Sequence, residues 1–350
     1  MKTDVVKIHL PQSISDLNAQ KLEISMVIPS YKRPDLLELL LDSLLKQTIP
    51  PGAFEVIVID NAPEGDARVS RLCESLKYTP LALTYAHHPP PGTSQARNSG
   101  ISLARAPLIG FADDDNVLPD DWIEKAIECH NRFPEDIIGG PYQPFYTTSK
   151  PAWMRDQYLT LSWGAEARQL GEREHLFGGN MAWPAKLLRE VGGFSTGIGR
   201  VGYNQEYGEE TEIQIRAEQK GSCRWFDPQL YNYHHVPPSH MRVSWFVKSR
   251  WYHGKAKARV FLHDLVRNDK RPPYRVAGAW YRSAFRHGFS ILGRLLTLPF
   301  RDRARYPGYQ NYIIEVICPK VSGFSMCLYI GNHFLKPALQ RSGDQIRGAG

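Results

Sequence analysis

Residues 108–115 read Leu-Ile-Gly-Phe-Ala-Asp-Asp-Asp, a short apolar run that ends in three adjacent carboxylates. Such a run, closed abruptly by polar residues, is typical of a buried strand that ends at the edge of a sheet. Three neighbouring carboxylates repel one another unless a positive group lies among them. Their oxygens are the hard ligands that Mg²⁺ and Mn²⁺ prefer, and these ions often complete their coordination with substrate phosphates. The stretch therefore predicts a strand with a metal site at its end.

Around this strand, apolar runs alternate with amphipathic segments through the first third of the chain. Strands are expected at 24–28, 54–59, 81–87 and 108–112, and helices at 35–47 and 94–104. The alternation predicts a mostly parallel sheet flanked by helices, an α/β fold in which ligands bind at the carboxyl ends of the strands. Four polar residues follow these strand ends: Ser30, Asp60, His87 and Asp113. We therefore expect these four side chains along one edge of the sheet.

The remainder of the chain is less regular and then becomes helical and basic. Residues 139–240 are rich in Gly, Trp and Tyr, and a helical pattern begins after Ser244. The segment 285–300 mixes Leu, Ile and Phe with Arg, which suits a helix on a membrane surface or an ordinary packed helix. The predicted organisation is an N-terminal extension (1–22), an α/β domain (23–240, with halves 23–116 and 117–240) and a helical C-terminal region (241–350).

The composition is that of a globular protein with an uneven charge. Hydrophobic residues make up 42% of the chain and charged residues 23%. From Met241 onward there are 20 Lys or Arg against 5 Asp or Glu, a charge of +15, whereas the first 240 residues carry −8. A basic tail favours an anionic partner, either a membrane surface or a nucleic acid, although a solvated surface has the same composition.

Cysteine usage and apolar runs indicate the compartment. The five cysteines are scattered, without a Cys-x-x-Cys pair, which argues against a disulfide framework or a zinc site. The N-terminus has no apolar segment of a secretory signal, and no uninterrupted apolar run reaches about 18 residues, so neither a signal peptide nor a transmembrane helix is expected. We expect a cytoplasmic protein, with or without attachment to the cytoplasmic face of the membrane.

Three further groups of residues each suit more than one chemical or structural role. Glu209-Glu210 suits a general base or the acidic first turn of a helix. His234 and His235, before a Pro-Pro turn, suit a metal ligand, a phosphate contact or a structural pair. Arg97, near a predicted helix start, suits a phosphate contact or a salt bridge to the acidic cluster.

Taken in order, these motifs resemble family 2 glycosyltransferases, an inverting family with the GT-A fold, whose sheet is Rossmann-like. The resemblance spans about residues 24–254. It rests on Val27-Ile-Pro-Ser-Tyr31-Lys-Arg33-Pro, Gln47, Val58-Ile-Asp60-Asn61, Ala96-Arg97-Asn98-Ser-Gly100, Phe111-Ala-Asp113-Asp114-Asp115, Gly178-Gly-Asn180-Met-Ala182, Val191-Gly-Gly-Phe194, Gly208-Glu209-Glu210-Thr-Glu-Ile-Gln-Ile-Arg216 and His234-His235-Val-Pro.

The resemblance implies a role for each matched residue. The residues expected to bind the nucleotide-sugar donor are Pro29, Ser30, Tyr31, Arg33, Asp60, Arg97, Asp113 and Asp114. A divalent ion, Mn²⁺ or Mg²⁺, is expected on Asp115, with Asp113 and His234 as further ligands. Glu209-Glu210 occupies the place of the family's Glu-Asp pair, whose second residue usually acts as the base. Glu210 is therefore the expected base and Glu209 the alternative.

The implied reaction transfers a sugar from a nucleotide diphosphate donor, most commonly a UDP-sugar, to a hydroxyl of a glycan or lipid-linked acceptor, with inversion at the anomeric carbon. Two departures bear on this. Trp183-Pro184 stands where the family often has a basic residue, which leaves the acceptor contacts open. The tail from about Arg275 matches no family motif, so its role, including a peripheral membrane contact, rests on composition alone.

Two other classes of protein fit parts of the pattern. A nucleotidyltransferase would carry a Gly-rich basic loop after its first strand, where this chain has only Ser30-Tyr-Lys-Arg33-Pro. A non-catalytic nucleic-acid-binding protein would explain the pI of about 9.1 and the basic tail. The sequence has no zinc knuckle or RNP-like motif, so no nucleic-acid partner is expected.

Overall fold

The structure is a computed structural model that describes residues 21–89, 91–196, 208–268 and 271–347. The predicted N-terminal extension lies outside the described residues except for 21–22. The described chain divides into two units. The first comprises the residues up to Thr147 together with Leu159–His235, and the second comprises Thr148–Tyr158 and the residues from Val236 on.

Strands in the described part of the first unit form two sheets. They are β1 (Ile24–Ser30), β2 (Phe54–Asp60), β3 (Leu83–His87), β4 (Leu108–Ala112), β5 (Asn116–Val117), β6 (Ile137–Gly139), β7 (Tyr142–Phe145), β8 (Arg168–Gln169), β9 (Asn180–Pro184), β10 (Arg224–Phe226) and β11 (Asn232–His235). The helices are α1 (Pro34–Leu44), α2 (Ala67–Ser75), α3 (Thr93–Leu103), α4 (Trp122–Arg132), α5 (Ala185–Glu190) and α6 (Glu209–Glu218).

The larger sheet has the strand order β3-β2-β1-β4-β9-β6-β10-β8. Its first four strands are parallel, and β9 and β8 pair antiparallel with their neighbours. The smaller sheet has the order β5-β11-β7. It brings β11, late in the chain, beside residues that directly follow β4, and so adds groups to that strand end.

Central parallel strands are buried on both faces, which is why β2 reads Phe-Glu-Val-Ile-Val-Ile-Asp without alternation. On one face, α1 covers the sheet with its buried leucines Leu37, Leu40, Leu41 and Leu44. On the other face, α3 approaches β1 closely at Gly100. A Cβ there would lie 2.2 Å from Cγ1 of Val27, so only glycine permits this approach.

The predicted strands and helices of the first third are confirmed within a few residues. In the register of the sheet, Ser30 lies opposite Asp60, and Asp60 opposite His87, so the predicted shared edge is confirmed for these three. The predicted first helix extends too far, because α1 ends at Leu44 and Gln47 turns to donate to the carbonyl of Pro119 at 2.8 Å.

The second unit is helical, as the sequence predicts for the C-terminal region. Its main helices in the described part are α7 (Val243–Asn268), α8 (Pro273–Thr297), α9 (Tyr309–Tyr312) and α10 (Cys318–Arg347), with a π-helical turn at Ile313–Ile317. The segment Thr148–Tyr158 joins this unit by packing on the turn: Arg155 Nη1 and Tyr158 OH donate to Glu315 at 2.9 and 2.7 Å. This segment lies outside the predicted C-terminal region.

One helical stretch corrects the expectation that no helix would be apolar enough to cross a membrane. Residues Tyr309–Leu335 satisfy the requirements of length and composition, although Glu315 and Lys320 interrupt the apolar run in the sequence. The most apolar part of this stretch is 39% buried within the protein. Length and composition are shared by membrane spans and by core helices, so the stretch is weak support for a membrane association.

Candidate active site

The three adjacent carboxylates after β4 contact three different sets of partners. Asp114 points inward and is 5% exposed. Its Oδ2 accepts from the backbone N–H of Tyr31 at 2.9 Å, and its Oδ1 accepts from Arg33 Nη1 at 3.2 Å. Burial and the Asp115 charge raise the pKa of Asp114 to about 7, although Arg33 and the Tyr31 N–H oppose the rise. Asp114 therefore fastens the loop after β1, and its predicted contact with the donor stays a prediction.

Asp115 faces His234 and Arg33. Its Oδ2 lies 2.5 Å from Arg33 Nη1, and its Oδ1 lies 3.4 Å from Nε2 of His234. The register of the smaller sheet sets this contact, because the His235 N–H donates to the Asp115 carbonyl at 2.8 Å. The neighbouring His235 turns away, with Nε2 2.9 Å from Oγ1 of Thr147. Of the two histidines, only His234 joins the carboxylate cluster through its side chain.

The pair Asp115 and His234 offers one hard oxygen ligand and one imidazole nitrogen. Among the residues that the structure describes, no group of three or more acidic, His or Cys side chains converges on a metal position. Mg²⁺ and Mn²⁺ tolerate few protein ligands because phosphates and water complete their coordination. The two side chains thus fit a divalent ion that is shared with a diphosphate. Asp113 as a further ligand stays a prediction.

Asp113 is tied instead to a buried cation. Its Oδ1 accepts from Arg97 Nη2 at 3.1 Å, and Arg97 Nη1 lies 3.7 Å from Oε1 of Glu209. The Arg97 side chain is only 3% exposed. Burial lowers the pKa of Arg97, but Asp113 and Glu209 raise it by more, so the net shift is upward. The structure shows the salt bridge of Arg97 to acidic groups, and its contact with the donor stays a prediction.

Glu209 and Glu210 open α6 and differ in exposure. Glu209 is 6% exposed, whereas Glu210 is half-buried. Burial and the Glu210 carboxylate raise the pKa of Glu209 from 4.5 to about 7, although Arg97 acts in the opposite direction. A Cβ at Gly178 would lie 3.4 Å from Cβ of Glu210, so the turn before β9 passes close to both Arg97 and Glu210. The two carboxylates thus form the start of α6 beside Arg97, and the role of either as the base stays a prediction.

The residues predicted to bind the nucleotide lie at the ends of β1 and β2. Pro29 and Ser30 close β1, and the hydroxyl of Ser30 is buried without a hydrogen-bond partner in the described part of the chain. Tyr31 and Arg33 follow in the loop that Asp114 holds, where Lys32 adopts a left-handed φ of 55°. A non-glycine residue in that region is uncommon and typical of functional loops.

Asp60 has a structural role in addition to any role in binding. Its Oδ1 accepts from the N–H of Ala62 at 3.0 Å. Its Oδ2 accepts from the N–H of Asp66 at 2.6 Å and from the hydroxyl of Tyr85 at 2.9 Å. These bonds shape the loop after β2, and the contact between Asp60 and the base stays a prediction.

Two residues of the site have no counterpart in the predictions. The hydroxyl of Tyr142 accepts from the Gly179 N–H at 2.7 Å, and its ring stacks on His234 with centroids 5.1 Å apart. Asn116 Oδ1 accepts from the Asp113 N–H at 2.7 Å and sets the turn of the carboxylates. Asn116 directly follows the acidic triplet, which is a usable signal. Tyr142 gives none, because β7 meets β11 only in the folded chain.

The chain is similar to several known glycosyltransferases. The family described as glycosyl transferase family 2 matches residues 25–192. The chain is 27% identical to the succinoglycan biosynthesis protein ExoM of Rhizobium meliloti, over 76% of this chain and 83% of that protein. It is 24% identical to the glucosyl-dolichyl phosphate glucuronosyltransferase of Haloferax volcanii, over 71% of this chain and 81% of that protein.

A solved structure supports the fold. The mannosyltransferase PcManGT from Pyrobaculum calidifontis, in complex with GDP-Man and Mn²⁺, superposes with a TM-score of 0.51 at 17% identity. The match covers 100% of this chain and 83% of that one. The predicted α/β architecture with a helical C-terminal region is confirmed, and the resemblance noted in the sequence is confirmed with it. The chain is a glycosyltransferase with the GT-A fold, and its residues 25–192 match family 2.

Proposed function

We propose that this enzyme transfers a sugar from a nucleoside diphosphate donor, with UDP as the expected nucleotide, to a hydroxyl group of a glycan or lipid-linked acceptor. The observation that carries the proposal is one chain of contacts along the sheet edge. It runs from Asp113 through buried Arg97 to the carboxylates at the start of α6. The neighbouring pair of Asp115 and His234 fits a divalent ion. Leaving-group and acceptor chemistry therefore lie in one site.

In the donor half of the reaction, the β1 loop binds the nucleotide and Asp115 helps to stabilise the leaving diphosphate. Pro29, Ser30 and Tyr31 stand at the carboxyl end of β1, where a base and ribose bind in sheets of this kind. When bound at Asp115 and His234, Mn²⁺ or Mg²⁺ supplies stabilisation of the charge that develops on the leaving diphosphate. Arg33, paired with Asp115 in this structure, would exchange that carboxylate for a diphosphate oxygen of the donor and keep its positive charge.

The acceptor half assigns the base to Glu210. A base must reach the acceptor hydroxyl, and Glu210 is accessible whereas Glu209 is buried against Arg97. The acceptor oxygen forms a bond with the anomeric carbon as the bond from that carbon to the diphosphate oxygen breaks. The acceptor proton passes to Glu210, and the nucleoside diphosphate leaves. A single displacement of this kind inverts the anomeric configuration.

The names of the similar proteins support the acceptor class. One relative is named for succinoglycan biosynthesis and another for action on glucosyl-dolichyl phosphate. A growing glycan or a lipid-linked sugar is thus a better candidate than a small metabolite. Such acceptors favour a membrane surface, which we expect to be its cytoplasmic face, as the place of the reaction.

The test is a transfer assay with the full chain, Mn²⁺ or Mg²⁺, a panel of UDP-, GDP- and dTDP-sugars and lipid-linked sugar acceptors. We expect release of the nucleoside diphosphate from one class of donor, and a glycosidic product whose anomeric configuration is inverted by NMR. Release of pyrophosphate would instead indicate a nucleotidyltransferase. A retained anomer would contradict the single displacement. Steeply salt-dependent binding of nucleic acid without sugar transfer would contradict the whole proposal.

A further inference from the structure

A row of large apolar side chains on α8 and just beyond it is exposed to solvent. We call this row the α8 face: Phe285 (67% exposed), Phe289 (58%), Leu292 (53%), Leu295 (46%), Leu296 (69%) and Phe300 (87%). The spacing of Phe285, Phe289, Leu292 and Leu296 places them along one side of the helix. Single exposed apolar residues are normal in proteins, but a contiguous row marks an interaction surface.

The opposite side of α8 is packed, so the exposure does not reflect a detached helix. Val276, Ala277 and Ala284 are buried. Toward α10, the Cys327 thiol donates to Ser283 Oγ at 3.4 Å, and Tyr281 OH donates to Oδ1 of Asn332 at 2.6 Å. The helix is therefore ordered by its neighbours and presents its remaining face outward.

Arginines flank the α8 face. Between residues 271 and 311 the sequence has eight arginines and one acidic residue, Asp302. Arg282, Arg286 and Arg294 are exposed. Helical spacing places Arg282 and Arg286 beside the face, whereas Arg294 lies on the other side of the helix. Within the part of the chain that the structure describes, these three make no ion pair. An apolar strip beside unpaired guanidinium groups complements a surface that is apolar beneath and negatively charged above.

We propose that the α8 face docks this enzyme on the surface of an anionic lipid bilayer. The six apolar side chains of the face enter the boundary between headgroups and acyl chains, and the arginines contact the lipid phosphates. A second copy of the chain fits less well, because its own arginines would meet these without acidic partners. A nucleic acid would explain the arginines but would leave the six apolar side chains in water.

The docking goes beyond sugar transfer, because lipid binding requires neither the donor nor the carboxylate cluster. It decides which form of the acceptor the enzyme meets. An acceptor carried by a lipid is concentrated in the same surface that the α8 face binds. The two proposals can therefore fail separately: the docking through vesicle binding, and the sugar transfer through release of nucleoside diphosphate with soluble acceptors.

The experiment is flotation of the full chain with vesicles of phosphatidylcholine alone or mixed with an equal amount of phosphatidylglycerol. We expect the wild type to float only with the mixed vesicles and to be released at high salt. In Phe285→Ser/Phe289→Ser, loss of two inserted rings lowers the partition coefficient at least about tenfold. Replacement of Arg282 or Arg286 by Gln lowers it about fivefold each on the anionic vesicles.

Matched controls lie on the first unit. Tyr78 is 75% exposed and Lys186 is exposed on α5, so Tyr78→Ser and Lys186→Gln remove an equivalent ring or charge away from the α8 face. Both are expected to float like the wild type. Because the substituted side chains are exposed, all variants should keep the wild-type thermal midpoint. Leu292→Ser/Leu296→Ser provides a second apolar pair should the phenylalanine variant lose its fold.

Three results would overturn the proposal. One is a wild type that does not bind the mixed vesicles, or apolar variants that bind as well as it does. Another is a wild-type dimer that becomes monomeric in the phenylalanine variant, which would make the α8 face a subunit interface. The third is a chain that stays in native membranes after alkaline extraction, which would mean that the Tyr309–Leu335 stretch crosses the membrane.

Discussion

In most proteins charged side chains are exposed and large apolar side chains are buried. The carboxylate cluster of the first unit and the α8 face of the second both depart from this rule, the first by burying charge and the second by exposing apolar groups. Around Arg97, charged groups are withdrawn from water, and Glu209 and Asp114 are almost fully buried. On α8, Phe289 and Leu296 are left in water.

Buried charge needs a partner of opposite sign, and an exposed apolar row needs an apolar partner. The buried carboxylates have such partners within the protein, in Arg97 and Arg33, whereas the row on α8 has none in the described part of the chain. The first departure underlies the proposed reaction, and the second underlies the proposed docking.

The largest effect is expected from Glu210→Gln. The variant keeps the shape of the site but cannot accept a proton, so turnover should fall about a hundredfold to ten-thousandfold. Steady-state release of nucleoside diphosphate measures it, and donor binding should not change. The matched control is Glu212→Gln on the same helix, where the side chain pairs with Arg216 at 2.7 Å. A larger loss in Glu209→Gln than in Glu210→Gln would reverse the assignment of the base.

The next effect tests whether the buried charges depend on one another. Arg97→Met removes the cation that pairs with Asp113 and Glu209, and breaking a buried pair from one side costs about 3 kcal/mol of unfolding free energy or more. Denaturant unfolding measures the change. In the exposed pair of Arg68 with Asp35, Arg68→Met should cost no more than about 1 kcal/mol. Equal losses of unfolding free energy in Arg97→Met and Arg68→Met would mean that burial does not make the Arg97 ion pairs more important for stability than a surface pair.

The pKa of Glu209 gives that buried cluster a pH dependence. Because the folded state raises this pKa from 4.5 to about 7, the folded protein holds a proton that the unfolded chain has already lost. Glu209 therefore stabilises the fold at low pH, and this contribution is lost as the pH rises toward 7. Relative to the wild type, Glu209→Gln should gain unfolding free energy, by up to about 3 kcal/mol, as the pH rises from about 4.5 to about 7.

Unfolding curves of both proteins across this pH range measure that difference. Asp114 has a raised pKa for the same reason and gives a slope of the same sign. Because Asp114 is present in both proteins, the difference between their unfolding free energies at each pH contains only the contribution of Glu209. A difference that does not change with pH would mean that Glu209 is ionised in the folded state throughout.

The smallest effect belongs to the exposed surface. Phe289→Ala should change the unfolding free energy by no more than about 0.5 kcal/mol, because folding removes little of the ring's apolar surface from water. Phe246 in the same unit is 2% exposed, and Phe246→Ala should cost about 3 to 5 kcal/mol. Thermal or denaturant unfolding compares the two. A similar cost at both positions would show that the α8 face is packed in solution.

The sequence predicts the frame of the site better than its contacts. The shared edge follows from the alternation of strands and helices, which places Ser30, Asp60 and His87 together whatever their side chains do. The different partners of Asp114 and Asp115 do not follow, because they come from the β1 loop and from β11, far away in the chain. Only the paired registers of both sheets bring Arg33 and His234 to these carboxylates.

The helical region shows the same limit. The pattern of Phe285–Phe300 is common to packed and membrane-surface helices, because both need one apolar side. Which side is covered depends on α10, whose contacts are not encoded in the α8 segment itself. The sequence does not predict the stretch Tyr309–Leu335, because charged residues interrupt its apolar run. In the structure, the apolar segments on both sides of these charges belong to one helical stretch.

The most direct test of the account is thermal unfolding with UDP, GDP, dTDP or CDP, each with and without Mn²⁺, for the wild type and for Asp115→Ala. A ligand that binds only the folded state raises the midpoint of unfolding. The account predicts a rise for one diphosphate that requires the metal and disappears in the variant, because the proposal puts the ion on Asp115 and His234. A folded wild type whose midpoint responds to none of the nucleotides, or a variant that keeps the full response, would contradict the account.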